Sequence, residues 1–153
     1  MKRILAAAAL ALALPTTAAA AEGEAVTIRG EAIDTWCYFS GVMGGPDAVV
    51  GSAHHTCALW CSAGGIPVGL LGEDGEVYMV LKMGDSDASN GGDSQLHIAS
   101  HTITAQGTLY KRDGINYIVV AEVVADDDII NQTHLDYGTV PGFAVPKSVL
   151  QSE

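Results

Sequence analysis

Two adjacent histidines, His54 and His55, stand just before the Cys-x3-Cys pair Cys57 and Cys61, and 19 residues separate Cys57 from the remaining cysteine, Cys37. On a helix, positions three and four apart share a face, with Cβ atoms about 5–6 Å apart. His54, Cys57 and Cys61, at i, i+3 and i+7, therefore project to one side. His55 reaches the same place only if the helix starts later. With Cys37 brought back by its loop the result is a Cys3His set, which suits a four-coordinate tetrahedral ion with soft ligands. Zinc is the commonest occupant of such a closed site, and copper is its rival because thiolates select Cu(I). An iron–sulfur cluster on three cysteines and one histidine is the lesser expectation.

The same thiols admit other readings. A Cys57–Cys61 bridge along one helix is disfavoured, because a disulfide needs close Cα atoms and converging Cβ vectors. Bridges from Cys37 to Cys57 or to Cys61 are sterically easy, and either would make a disulfide-stapled binding module without metal. A Cys57 or Cys61 nucleophile beside His54 would make a thiol-dependent enzyme, and this ranks third. No serine has a nucleophile-elbow context and no glycine loop ends in Lys-Ser/Thr, so hydrolase and phosphate-binding machinery is not evident. Asp34 could act as a base, but an aspartate at a strand end more often caps a turn.

Other chemistry-bearing positions read as structural. His97 and His101 have i, i+4 spacing, but no glutamate follows His97, and a strand beginning near His101 would separate their faces. His134 is alone. The run 84–93, "GDSDASNGGD", offers carboxylates but departs from a calcium loop in its glycine position and lacks the closing glutamate. It reads as a polar turn. "NQT" at 131–133 matches a glycosylation acceptor, of little consequence if the source is bacterial.

The chain opens with Met1-Lys2-Arg3, an apolar run from Ile4 to Leu14, Pro15, and the small residues Ala19 to Ala21. That pattern predicts a cleaved secretory signal over 1–21, hence a periplasmic or secreted protein. The apolar run is well short of the roughly 20 residues a bilayer span needs. No membrane insertion is expected after cleavage. The remaining chain holds 5 basic and 18 acidic residues, a formal net charge of −13. So acidic a protein repels nucleic acid and anionic membranes. Export also implies an oxidising compartment, where three cysteines are an odd count and a thiol left free is a liability unless buried or ligated.

The elements that must position the cysteines follow from pattern. Strands are expected at Glu24–Trp36, with a bulge at Gly30, and at 67–71 and 76–83 around the turn "GEDG". A glycine-rich loop is expected over 41–51, then a helix over Ser52–Ala63, capped by Ser52 or Thr56 and stopped by Gly64-Gly65. One or two helical turns fit 93–100. The clearest strands are 101–110 and 116–124, flanking "KRDG". One metal-binding domain over 22–138 and an extended tail over 139–153 complete the organisation.

Five antiparallel strands with a helix between the third and fourth is the order of an OB-fold, a small partly open barrel. The hairpin "ITAQGTLYKRDGINYIVVAEV" resembles the last two strands of small bacterial exported OB-fold proteins. That resemblance implies a mainly β, OB-like antiparallel barrel with the short Cys/His helix inserted after the first strand. The Cys-x3-Cys spacing is also similar to that of the dinuclear copper site of cytochrome oxidases and of thioredoxin-like copper chaperones. Those families place a histidine after the second cysteine and order their strands differently, so only the idea of copper carries over. The expected function is an exported transition-metal-binding protein, for electron transfer, metal handling or a structural zinc staple. A periplasmic redox or metal-handling protein is the partner expected.

Overall fold

The computed structural model describes residues 22–84, 86–87 and 93–137. The expected signal, the tail over 139–153 and most of the polar turn at 84–93 lie outside the described residues. Six strands form one sheet: β1 (Glu24–Asp34), β2 (Val68–Gly72), β3 (Val77–Met83), β4 (Ser86–Asp87), β5 (Thr102–Arg112) and β6 (Ile115–Asp126). Their order is β2-β1-β5-β6-β3-β4, and β2 pairs β3 as well. Five strands therefore close into a barrel, with the two-residue β4 an appendage on β3.

The expectation of wholly antiparallel pairing is corrected at one seam. β3 and β6 run parallel, Tyr78 opposite Asn116 and Met83 opposite Val120. A ring of five cannot alternate direction all the way round, so closure requires one parallel pair. The β5–β6 hairpin forms as its turn predicts. Asp113 and Gly114 both have positive φ, 53° and 80°, the combination a two-residue type I′ turn needs.

Alternation along β1 buries Ile28 and Ala32, with Val26 packed beside them. These meet Leu70, Ile103 and Ile118, each with no exposed surface, in the barrel core. Gly30 is no bulge: β1 keeps continuous register through it, opposite Gly72 on one side and Ile103 on the other. A Cβ there would lie 2.4 Å from the Leu71 carbonyl oxygen. The glycine allows the strands to close.

Between β1 and β2 the chain forms a helix and a 3-10 turn where sequence suggested a strand end and a loop, and the expected Cys-bearing helix follows. α1 (Thr35–Ser40) follows β1 directly, a 3-10 turn spans Pro46–Val49, and α2 covers Gly51–Ala63. α2 packs against β1. Two short helices follow, α3 (Asp93–His97) before β5 and α4 (His134–Tyr137) after β6. Among the described residues no helix is long and apolar enough to cross a membrane.

Candidate metal centre

Asp34 ends β1 and caps α1. Its Oδ1 accepts the backbone N–H groups of Trp36 at 2.9 Å and Cys37 at 3.2 Å, the bonding expected of an aspartate N-cap. Gly41 stops the helix in the left-handed conformation and donates its N–H to the Cys37 carbonyl at 2.9 Å. Thr35 ties this turn to the approach of β2, donating its hydroxyl to the Pro67 carbonyl at 2.6 Å. Cys37 is thus held in the first turn of a short helix, three residues after Asp34, and is 2% exposed.

α2 brings the other two sulfurs. Its inward stripe is His54, Ala58 and Ser62, all buried, with half-buried Cys57 and Cys61 on the adjoining stripe. Neither Ser52 nor Thr56 caps it; Val50 is the N-cap residue and makes no side-chain bond there. Glu31 substitutes by accepting the Gly51 N–H at 2.5 Å with one oxygen and the Asn131 side-chain amide at 3.1 Å with the other. Ser52 instead lies 2.6 Å from His134 Nδ1.

The result is a compact donor set. One carboxylate oxygen of Asp34 and the sulfurs of Cys37, Cys57 and Cys61 all lie within 4.8 Å of one another. All three thiols are unbridged. The fourth donor in the group is a carboxylate, where sequence spacing suggested an imidazole. His54 lies behind that carboxylate, 3% exposed, with Nε2 3.5 Å from Asp34 Oδ2. His55 turns away from the group. Its Nδ1–H donates to the Ala99 carbonyl at 2.8 Å, and its ring stacks on His101 with centroids 6.4 Å apart. Burial pushes the His55 pKa down despite that hydrogen bond. His101 is engaged elsewhere, 2.9 Å from Asp126. His97 closes α3 in a separate element.

Two features make the group a fit for a cation. Asp34 Oδ2 and His54 Nε2 are buried and have no partner at hydrogen-bonding distance, a costly condition that native interiors rarely leave uncompensated. Charge is the second. Burial alone would raise the Asp34 carboxyl, but the His54 ring and the Cys61 and Cys37 thiols outweigh it and hold the group well below the usual carboxylate range. The thiols move the other way. Burial, then the Asp34 carboxylate, push Cys37 up to about 12 and raise Cys61 as well. The metal-free cluster therefore sets an ionised carboxylate beside the raised Cys37 and Cys61 thiols, whose protons a cation would replace.

The connecting stretch carries little charge. Between Thr35 and Ile66 the one Lys, Arg, Asp or Glu is Asp47. Trp36 and Trp60, each adjacent in sequence to a cluster cysteine, are 56% and 72% exposed. A groove of about 640 Å³, lined by Tyr38, Phe39, Val77, Met79 and Tyr117 among others, opens beside α1.

Asp34 as a donor was missed from sequence alone because the strand reading ran on to Trp36. The available signal was Asp34-x2-Cys37, a helix cap followed one turn later by a ligand. The residues of α1, Thr-Trp-Cys-Tyr-Phe-Ser, favour strands and concealed it. The chain matches no family model, no curated protein and no solved structure.

Proposed function

We propose that this is an exported metal-binding protein that holds one divalent soft cation, zinc foremost, on Asp34, Cys37, Cys57 and Cys61. The observation that carries the reading is the convergence of these four donors within 4.8 Å. Three sulfurs and one oxygen make a four-donor set of the kind zinc accepts. Charge argues for zinc over Cu(I). Ionised, the donors bring four negative charges together on a stretch, 34–66, that has no Lys or Arg, and buried charge is costly unless compensated. A divalent ion offsets two of those charges and a monovalent ion only one.

His54 would then serve as the partner of the ligand carboxylate, in the manner of the outer groups that orient ligands in metal sites. Zinc has no redox chemistry of its own, which favours metal handling over electron transfer. Half-exposed Cys57 and Cys61 favour exchange over permanent burial. The partner this suggests is a metal-exchanging protein of the same exported compartment.

The test is elemental analysis of protein secreted by its own host, followed by cobalt substitution. The reading expects one zinc per chain and, with cobalt, intense thiolate-to-metal absorption that Cys57→Ser weakens. Metal-free protein, or a Cys57→Ser chain that retains full metal affinity, would overturn it.

A further inference from the structure

We infer that Cys37 and Cys57 are a redox-modification site, oxidised by a hydroperoxide to an intramolecular disulfide whose formation releases the bound ion. This rests on the metal-site reading and adds the chemistry by which the site lets its cargo go.

The geometry singles out this pair. Their sulfurs belong to the group whose donor atoms all lie within 4.8 Å, and Cys57 is the one cysteine among the groups that raise the Cys37 thiol. A disulfide needs about 2.05 Å between sulfurs, so closure requires only local side-chain movement. Cys61 is placed differently. It follows Cys57 by four residues on one helix, where Cβ vectors do not converge on each other.

Access is divided between the two members. Cys57 is half-buried and within reach of a small neutral oxidant, whereas Cys37 is 2% exposed. A reachable thiolate with a shielded second thiol beside it is the arrangement in which oxidation ends in a disulfide rather than in higher oxides. Metal coordination keeps the sulfurs as thiolates, the nucleophilic form.

The step balances as follows. The Cys57 thiolate attacks one peroxide oxygen, the O–O bond breaks, and hydroxide leaves and is protonated to water. The Cys57 sulfenic acid so formed is attacked at sulfur by the Cys37 thiolate. The S–O bond breaks, a second hydroxide leaves as water, and the S–S bond forms. Two thiolates, one hydrogen peroxide and two protons give one disulfide and two waters, with two electrons passing from sulfur to oxygen. The cluster is left with one sulfur and one carboxylate, too few donors to hold a soft cation tightly.

Full-length, zinc-loaded protein treated with one equivalent of hydrogen peroxide tests this. Zinc release is read with a chromogenic chelator, thiols are counted after denaturation, and the bridge is located by peptide mass spectrometry. The expected result is loss of two of the three thiols, release of the one zinc, a Cys37–Cys57 linkage and a free Cys61. Dithiothreitol should restore three thiols and zinc binding. A bridge to Cys61, zinc retained by a bridged chain, or Cys57 carried on to sulfinic acid would overturn the inference while leaving the metal site standing. A chain that binds no zinc fails the metal reading instead. In that chain the same peroxide treatment still decides the pair: a Cys37–Cys57 bridge supports its redox chemistry, and no bridge overturns it.

Discussion

At the scale of single residues, Asp34 carries two duties that substitution can separate. One oxygen caps α1, the other lies 3.5 Å from the His54 ring, and the carboxylate belongs to the sulfur group. Asparagine caps a helix about as well as aspartate, whereas alanine costs about 1 kcal/mol. Asp34→Asn is therefore expected to keep the melting temperature close to that of the parent while weakening zinc binding at least about tenfold, since the anionic donor is lost. Asp34→Ala should lose both, which thermal melts and chelator competition would show. The thiols set the pH dependence. Cys37, at about 12, and Cys61, also raised, both carry protons near neutrality and must release them to a metal. Affinity then rises with pH, by about tenfold per unit for each displaced proton, or about 100-fold for these two. Competition titrations between pH 6 and 8 measure that slope; a flat profile would exclude thiol ligation. What was readable at this scale was the sulfur set, because side-chain chemistry survives errors in local structure. The identity of the fourth donor was not, since it depends on whether Cys37 leaves a strand or enters a helix.

Among the elements, α2 depends on contacts that its own sequence does not announce. It lacks a side-chain cap, and its first N–H groups are met by Glu31 from β1 and by Asn131 and Thr133 from the segment after β6. Gly51 has φ +62°, and a Cβ there would sit 2.4 Å from the Asn131 carbonyl oxygen. Gly51→Ala adds left-handed strain of about 1–2 kcal/mol to that clash, and should lower stability by more than the strain alone in denaturant melts. Glu31→Ala leaves a buried N–H without its acceptor, a loss of about 1–3 kcal/mol. Both changes should displace the sulfurs of α2 and weaken metal binding. The β5–β6 hairpin was readable because Asp-Gly turn chemistry and β-branched residues agree. The extent of α2 was readable from its glycine stop, but its start depends on Glu31, 20 residues away, and no local pattern carries that.

For the molecule as a whole, barrel and cluster are built from separate residues. The core of Leu70, Ile103, Ile118 and their neighbours includes none of the four candidate ligands. Chelation is therefore expected to leave the β-sheet circular dichroism intact while loosening α1 and α2. Leu70→Ala should cost about 2–5 kcal/mol and leave metal stoichiometry unchanged. The barrel was foreseeable from strand order, and its parallel seam follows from an odd number of strands once closure is granted. Closure itself was not written in any single segment, because it depends on β3 meeting β6 across 30 or more residues of chain. The central claim is that one carboxylate and three sulfurs meet on one ion. X-ray absorption at the zinc edge tests this most directly. The account predicts three sulfur scatterers at about 2.3 Å and one oxygen at about 2.0–2.2 Å; two or fewer sulfurs, or imidazole scattering from a histidine in the fourth place, would contradict it.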